Sequence, residues 1–154
     1  MNILFVCTGN TCRSPMAEAY FRYMAEAKGI KDYVILSAGT YAGEGEPVSD
    51  FSAKTLMDEC GIDLKNHKST ALTVEMVKNA DLIVAMTASH RNHIGMLCPD
   101  CLDKIMLLNE FGDGGDITDP FGSHLDVYKS CFQSMRPALE NLFKKLGEER
   151  ESVV

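Results

Sequence analysis

No apolar run in this 154-residue sequence approaches the roughly 18 residues a bilayer-spanning helix needs. The opening "MNILFV" has neither the basic flank nor the length of a secretory leader, so a cytoplasmic location and no membrane partner are expected. No five-residue basic run occurs and the net charge is -7, which argues against a nucleic-acid surface, because phosphate backbones are bound by clustered Lys and Arg. Any anion site must therefore be local. Internal repeats, linkers and low-complexity stretches are also missing, so the chain reads as one domain over 1–154, with about 148–154 ("EERESVV") as a frayed tail. The composition, 45% hydrophobic and 24% charged, is that of an ordinary globular domain. Its size allows about two thirds of the unfolded surface to be buried without staples. Six cysteines are present, and the expected compartment would keep most of them reduced.

The runs Asn2 to Cys7, Tyr33 to Ala38, Asp81 to Met86 and Lys104 to Asn109 are apolar almost throughout rather than alternating, as strands covered on both faces are. Helical patterns lie between them, at Pro15 to Lys28, Asp50 to Cys60, Thr73 to Asn79 and Thr87 to Leu97. This alternation predicts a doubly wound α/β domain. Leu125, Tyr128, Phe132, Met135, Leu139, Leu142 and Leu146 form one apolar helical stripe, in which Pro137 predicts a kink or break.

Chemistry concentrates in "FVCTGNTCRSPMAEA", where a strand ends in a loop of small and polar residues and a helix follows. A turn with small buried cysteines could look like this. Yet a strand end meeting a helix N-terminus is an anion site, and Gly9 and Asn10 tolerate the positive φ that a wrapped loop needs. In such a cradle the helix N-terminus and Arg13 would favour the thiolate of Cys7 and make it a nucleophile. Arg13 can grip two oxygens of a tetrahedral phosphate, and Ser14, read as the cap before Pro15, can donate to the sulfur as it leaves. Protonating the leaving group needs an acid from elsewhere. Asp119 in "DITDPFGS", held extended before Pro120 in a Gly-rich loop, is the candidate.

"VCTGNTCRSPMAEA", "SAGT" (Ser37 to Thr40), "NHKS" with His67, "DLIVAM" followed by Thr87, and "DPFG" resemble the low-molecular-weight protein tyrosine phosphatase family, in order and over nearly the whole chain. The resemblance implies a four-stranded parallel sheet flanked by helices on both faces. It also implies a phosphocysteine intermediate on Cys7, with Arg13, Ser14 and Asp119 in the roles just given. Asn10, Ser37 and His67 would support the loop by hydrogen bonds. Thr8, Gly9, Asn10, Thr11, Cys12, Tyr41 and Phe121 would line the substrate site. Phosphorylated proteins are the implied partners of a monomer that needs no cofactor or metal.

Thr11 stands where family members acting on phosphotyrosine usually carry Ile or Leu. Thr there, with a single aromatic after Asp-Pro, is similar to the protein arginine phosphatase branch, so phosphoarginine is the expected substrate and phosphotyrosine the alternative. Arsenate reductases share the loop, but "MTASHRN" carries none of the cysteines they would need there. "HRNHIGMLCPDC" raises a structural zinc on His90, His93, Cys98 and Cys101, and with it a non-catalytic role. Cys12, sharing a loop with a reactive thiolate, is read as its resolving partner, turning a sulfenic acid at Cys7 into a reversible disulfide.

Overall fold

The structure, a computed structural model, describes residues 1–152. Four parallel strands form the sheet: β1 (Asn2–Cys7), β2 (Val34–Gly39), β3 (Leu82–Ala85) and β4 (Ile105–Leu107), in the order β2-β1-β3-β4. The helices are α1 (Arg13–Ala27), α2 (Asp50–Cys60), α3 (Val74–Asn79), α4 (Ala88–Leu97) and α5 (Leu125–Ser152).

The period-2 alternation of a strand sorts the apolar runs between two cores. Ile3, Phe5 and Cys7 of β1 and Leu82 and Val84 of β3 face one core, built with α1 and α5. Leu4, Val6, Ile83 and Ala85 face the other, under α3 and α4. Cys7 is thus the last residue of a buried strand, delivered to the carboxyl edge of a central strand, where open α/β sheets bind ligands.

Three helix starts carry hydroxyl caps: Ser49 accepts from Ser52 N, Thr73 from Met76 N and Thr87 from His90 N. Several expectations are corrected. The helix after the loop starts at Arg13 with Cys12 at its cap position, not at Pro15 with Ser14 as cap, because the Ser14 hydroxyl is engaged by Cys7 and Asn10. β4 is three residues long, because short 3-10 turns occupy Pro99–Lys104 and Leu108–Phe111 on either side. α5 runs unbroken through Pro137, with Met135, Ala138 and Leu139 wholly buried on either side of it. Residues 148–152 complete α5 instead of fraying: Arg150 Nη1 lies 2.6 and 2.7 Å from the two carboxylate oxygens of Asp32, and its guanidinium covers the Tyr33 ring. Val153 and Val154 of the expected tail lie outside the described residues. Among the described residues, no helix is long and apolar enough to cross a membrane.

Candidate active site

Residues 8–12 wrap between β1 and α1, and every carbonyl from Cys7 to Cys12 except that of Gly9 is held by a group outside the loop. Cys7 O accepts from Thr40 N (2.9 Å), Thr8 O from Tyr41 N (3.0 Å) and Thr11 O from Ser49 N (2.9 Å). Asn10 O accepts from His67 Nε2 (2.7 Å) and Cys12 O from Ser52 Oγ (3.4 Å). The N–H groups of Gly9, Asn10, Thr11 and Cys12 have no acceptor among the described residues. With those oxygens tied to the surrounding elements, these donors and the N-terminus of α1 are left to an anion.

Asn10 organises the loop from beneath. It is wholly buried with φ of 56°, in the left-handed region that Asn tolerates better than most residues. Its amide is fully used: Nδ2 donates to Ser14 Oγ (2.8 Å) and Ser37 Oγ (2.9 Å), and Oδ1 accepts from Thr70 N (2.9 Å). Because the Ser14 oxygen accepts from Asn10, its proton is free for Cys7 Sγ at 2.9 Å. Ser37 in turn donates to Glu18 (2.5 Å), which pairs with Arg22 at 2.7 Å. One polar chain therefore runs from the surface to the thiol. Asn10 was expected to touch substrate as well as support the loop; its side chain is placed beneath the loop, away from the cleft wall.

Arg13 is buried and held by Ile117 O (2.9 Å) and Thr8 Oγ1 (3.4 Å), while its Nε has no protein partner. Its Nη2 lies 3.5 Å from Asp119 Oδ2. The segment leading to Asp119 is pinned by Ile117 N to Met86 O (2.9 Å) and by Ala88 N to Asp116 (2.9 Å). Asp119 itself caps Phe121 N at 3.1 Å, and its side chain is half exposed. Cys7, Thr8, Gly9, Thr11, Cys12, Arg13, Tyr41, Gly43, Glu46, Asp119 and Phe121 line one cleft of about 340 Å³.

Sequence reasoning missed several contributors. His90, read only as a zinc candidate, is buried with its ring between Thr87 Oγ1 (3.0 Å) and Thr8 Oγ1 (2.8 Å). Burial, reinforced by the Arg13 charge, lowers its pKa to about 4, so it is a neutral strut at ordinary pH. The Thr87 cap pattern was the only signal for its placement. Tyr128 of α5 brings its hydroxyl to 3.6 Å from Cys12 Sγ, and burial raises its pKa to about 12, so it stays protonated. The zinc set does not come together: His90 is committed to two threonines, His93 packs edge-on to Tyr41, and Cys98 is joined to Cys101 by a disulfide in the second core. No group of three or more possible metal ligands exists among the described residues. The same placement separates Cys98 and Cys101 from the cleft, against the arsenate reductase reading.

A thiol at the end of a parallel strand, in a loop of free amides closed by an arginine, defines a cysteine-dependent phosphatase site on an α/β fold. The model of the low molecular weight phosphotyrosine protein phosphatase family matches residues 2–152, and the chain belongs to this family. It is 40% identical over 152 residues to the protein-arginine-phosphatase of Bacillus subtilis (strain 168), covering 97% of this chain and 99% of that one. Identity to Etp, a low molecular weight protein-tyrosine-phosphatase of Escherichia coli (strain K12), is 32% over 146 residues, covering 95% of each. Among solved structures, YwlE arginine phosphatase as a cysteine-to-serine mutant with a phosphorylated active-site serine superposes with a TM-score of 0.91 at 38% identity, covering 98% of this chain and 99% of that one. The fold and the phosphatase class are thereby as expected from sequence.

Proposed function

We propose that this phosphatase hydrolyses phosphoarginine in proteins, acting as a cytoplasmic monomer. The observation that carries the reading is the loop: carbonyls held from outside it, unclaimed amides and the unpaired Arg13 Nε surround the one thiol that Ser14 addresses. The phosphoryl oxygens bind these donors. The Cys7 sulfur attacks phosphorus in line with the leaving nitrogen, and the phosphorus–nitrogen bond breaks as Asp119 gives it a proton. Arg13 stabilises the charge on the equatorial oxygens. Asp119 then takes a proton from water attacking the phosphocysteine, the sulfur–phosphorus bond breaks, and inorganic phosphate leaves while Ser14 steadies the departing sulfur.

Thr11 and the similarity to two arginine phosphatases support arginine over tyrosine. The second reading, phosphotyrosine, is favoured by Tyr41 and Phe121, whose exposed rings flank the cleft as a phenyl substrate would want. The test measures kcat/KM for phosphoarginine and phosphotyrosine peptides on wild type and Thr11→Ile. Wild type should prefer phosphoarginine, and the variant should shift the ratio toward phosphotyrosine by at least about tenfold, the scale of hydroxyl-based discrimination. A wild-type preference for phosphotyrosine would refute the arginine reading.

Cys12 completes the proposal as a resolving thiol: peroxide oxidises Cys7 to the sulfenic acid, which condenses with Cys12 to a disulfide and water. Thiol should restore activity after peroxide in wild type and less completely in Cys12→Ser; equal recovery would leave Cys12 as packing.

A further inference from the structure

Resting on the phosphoarginine reading, we propose that Glu46 is a specificity-determining residue whose carboxylate meets the positive charge of the phosphoguanidinium.

Glu46 is fastened in the cleft wall by its backbone. Its N–H donates to Ser69 Oγ (2.9 Å), its carbonyl accepts from Ser69 N (2.8 Å), and the buried Ser69 hydroxyl also holds Gly43 O. Gly45 N donates to Ser69 O at 2.9 Å, and Pro47 pairs with Lys68 in an antiparallel bridge. Gly45, at φ of 75°, turns the chain between Glu44 and Glu46. The side chain then lies over Gly43: a Cβ built there would stand 3.1 Å from Glu46 Oε1. Gly43 and Glu46 line the same cleft as Cys7 and Arg13.

What sets Glu46 apart is that its charge is unspent. Glu44 uses its carboxylate on Ala71 N (2.7 Å), and Asp119 has Arg13 at 3.5 Å. The Glu46 carboxylate has no cation and no N–H partner among the described residues. The same cleft is lined by the rings of Tyr41 and Phe121, 78% and 75% exposed, and aromatic faces attract cations. The cleft is thus polarised, with donors and Arg13 at the floor and a carboxylate and two π-faces at the mouth. A fixed negative charge there opposes any approaching dianion. It is matched only by a substrate carrying a cation directly behind its phosphoryl group. A phosphoguanidinium has that arrangement; a phosphorylated phenol, with a neutral ring behind the phosphate, does not.

The experiment compares Glu46→Gln with wild type on a phosphoarginine peptide, an aryl phosphate and a phosphotyrosine peptide flanked by arginines, each across about 20 to 500 mM salt. Glu44→Gln serves as the control. Glu46→Gln should lower kcat/KM for phosphoarginine about three- to fivefold, the range of a solvent-exposed ion pair, and raise it for the aryl phosphate about twofold. Salt should erode the wild-type preference and leave that of the variant flat. The control should shift the ratio less than about twofold. Parallel loss on all substrates, or an unshifted ratio in an enzyme that does hydrolyse phosphoarginine, overturns the role of Glu46. An effect confined to the arginine-flanked phosphotyrosine peptide overturns it too, by assigning the cation to a neighbouring residue. Absence of phosphoarginine turnover in wild type refutes the substrate reading itself.

Discussion

Asp119 and Cys7 stand on opposite kinds of support, and their sensitivities should differ accordingly. Cys7 is the end of a buried strand, with Ser14 aimed at its sulfur by Asn10, so its geometry is set by the fold. Asp119 sits half exposed on a loop and is anchored through its neighbours. Its proposed task, protonating the leaving group, matters only when that group is basic. Asp119→Asn should therefore cost about 10²-fold or more in kcat on poor leaving groups and under about tenfold on an activated aryl phosphate. A leaving-group series on both proteins measures this, and equal losses would remove Asp119 from that role. Cys7→Ser should abolish turnover yet bind phosphate, since the amides and Arg13 remain; this is read by isothermal titration with inorganic phosphate.

At the scale of elements, the loop is shaped by the junction of β2 with the segment that follows it. Gly39 pairs with Cys7 at the end of the β1–β2 ladder, and a Cβ there would overlap the Thr8 carbonyl and lie 2.8 Å from Ala42 Cβ and 3.0 Å from Asn10 N. Gly39→Ala must therefore push the loop backbone. The expected result is at least about a tenfold loss in kcat/KM with roughly 1–3 kcal/mol of stability, read by kinetics and urea unfolding. α5 reaches the same loop from the other side, through Tyr128 at Cys12, while its stripe fills the first core.

For the whole molecule, acid should act through the buried His90. Its folded pKa of about 4 lies below the ordinary 6.5, so the unfolded chain takes up the proton first. Stability from this group is complete above the ordinary value. It falls as pH drops from about 6.5 toward 4, by no more than about 3 kcal/mol, and falls no further below that. Urea unfolding at intervals from neutral to pH 4, for wild type and His90→Asn, tests this: the variant should show a shallower slope. An identical slope would show that His90 does not govern the acid response. In the folded enzyme the His90 strut to Thr8, which accepts from Arg13, is lost only as pH falls through the folded value of about 4, so any loss of activity through this group should come there and not at higher pH.

Elements were legible where local signals agree. Continuous apolar runs announced a sheet covered on both faces, the helical patterns at Asp50 to Cys60, Thr73 to Asn79 and Thr87 to Leu97 fell on or within a residue of helices, and the Cys7 to Arg13 spacing between strand and helix announced an anion loop. These depend on neighbours in sequence. Sequence alone left open what aims each group. His90, 82 residues from Thr8, and Tyr128, 116 residues from Cys12, reach the loop only because parallel crossovers return α4 and α5 to the edge where β1 ends. Pro137 does not interrupt α5, where burial on both sides outweighs one missing donor, and at Arg150 the last turns of the helix meet Asp32, 118 residues away. Side-chain chemistry and its spacing are written along the chain; the direction in which a carbonyl, a ring or the Glu46 carboxylate faces is set by contacts between segments far apart in sequence, and only the packed molecule decides it.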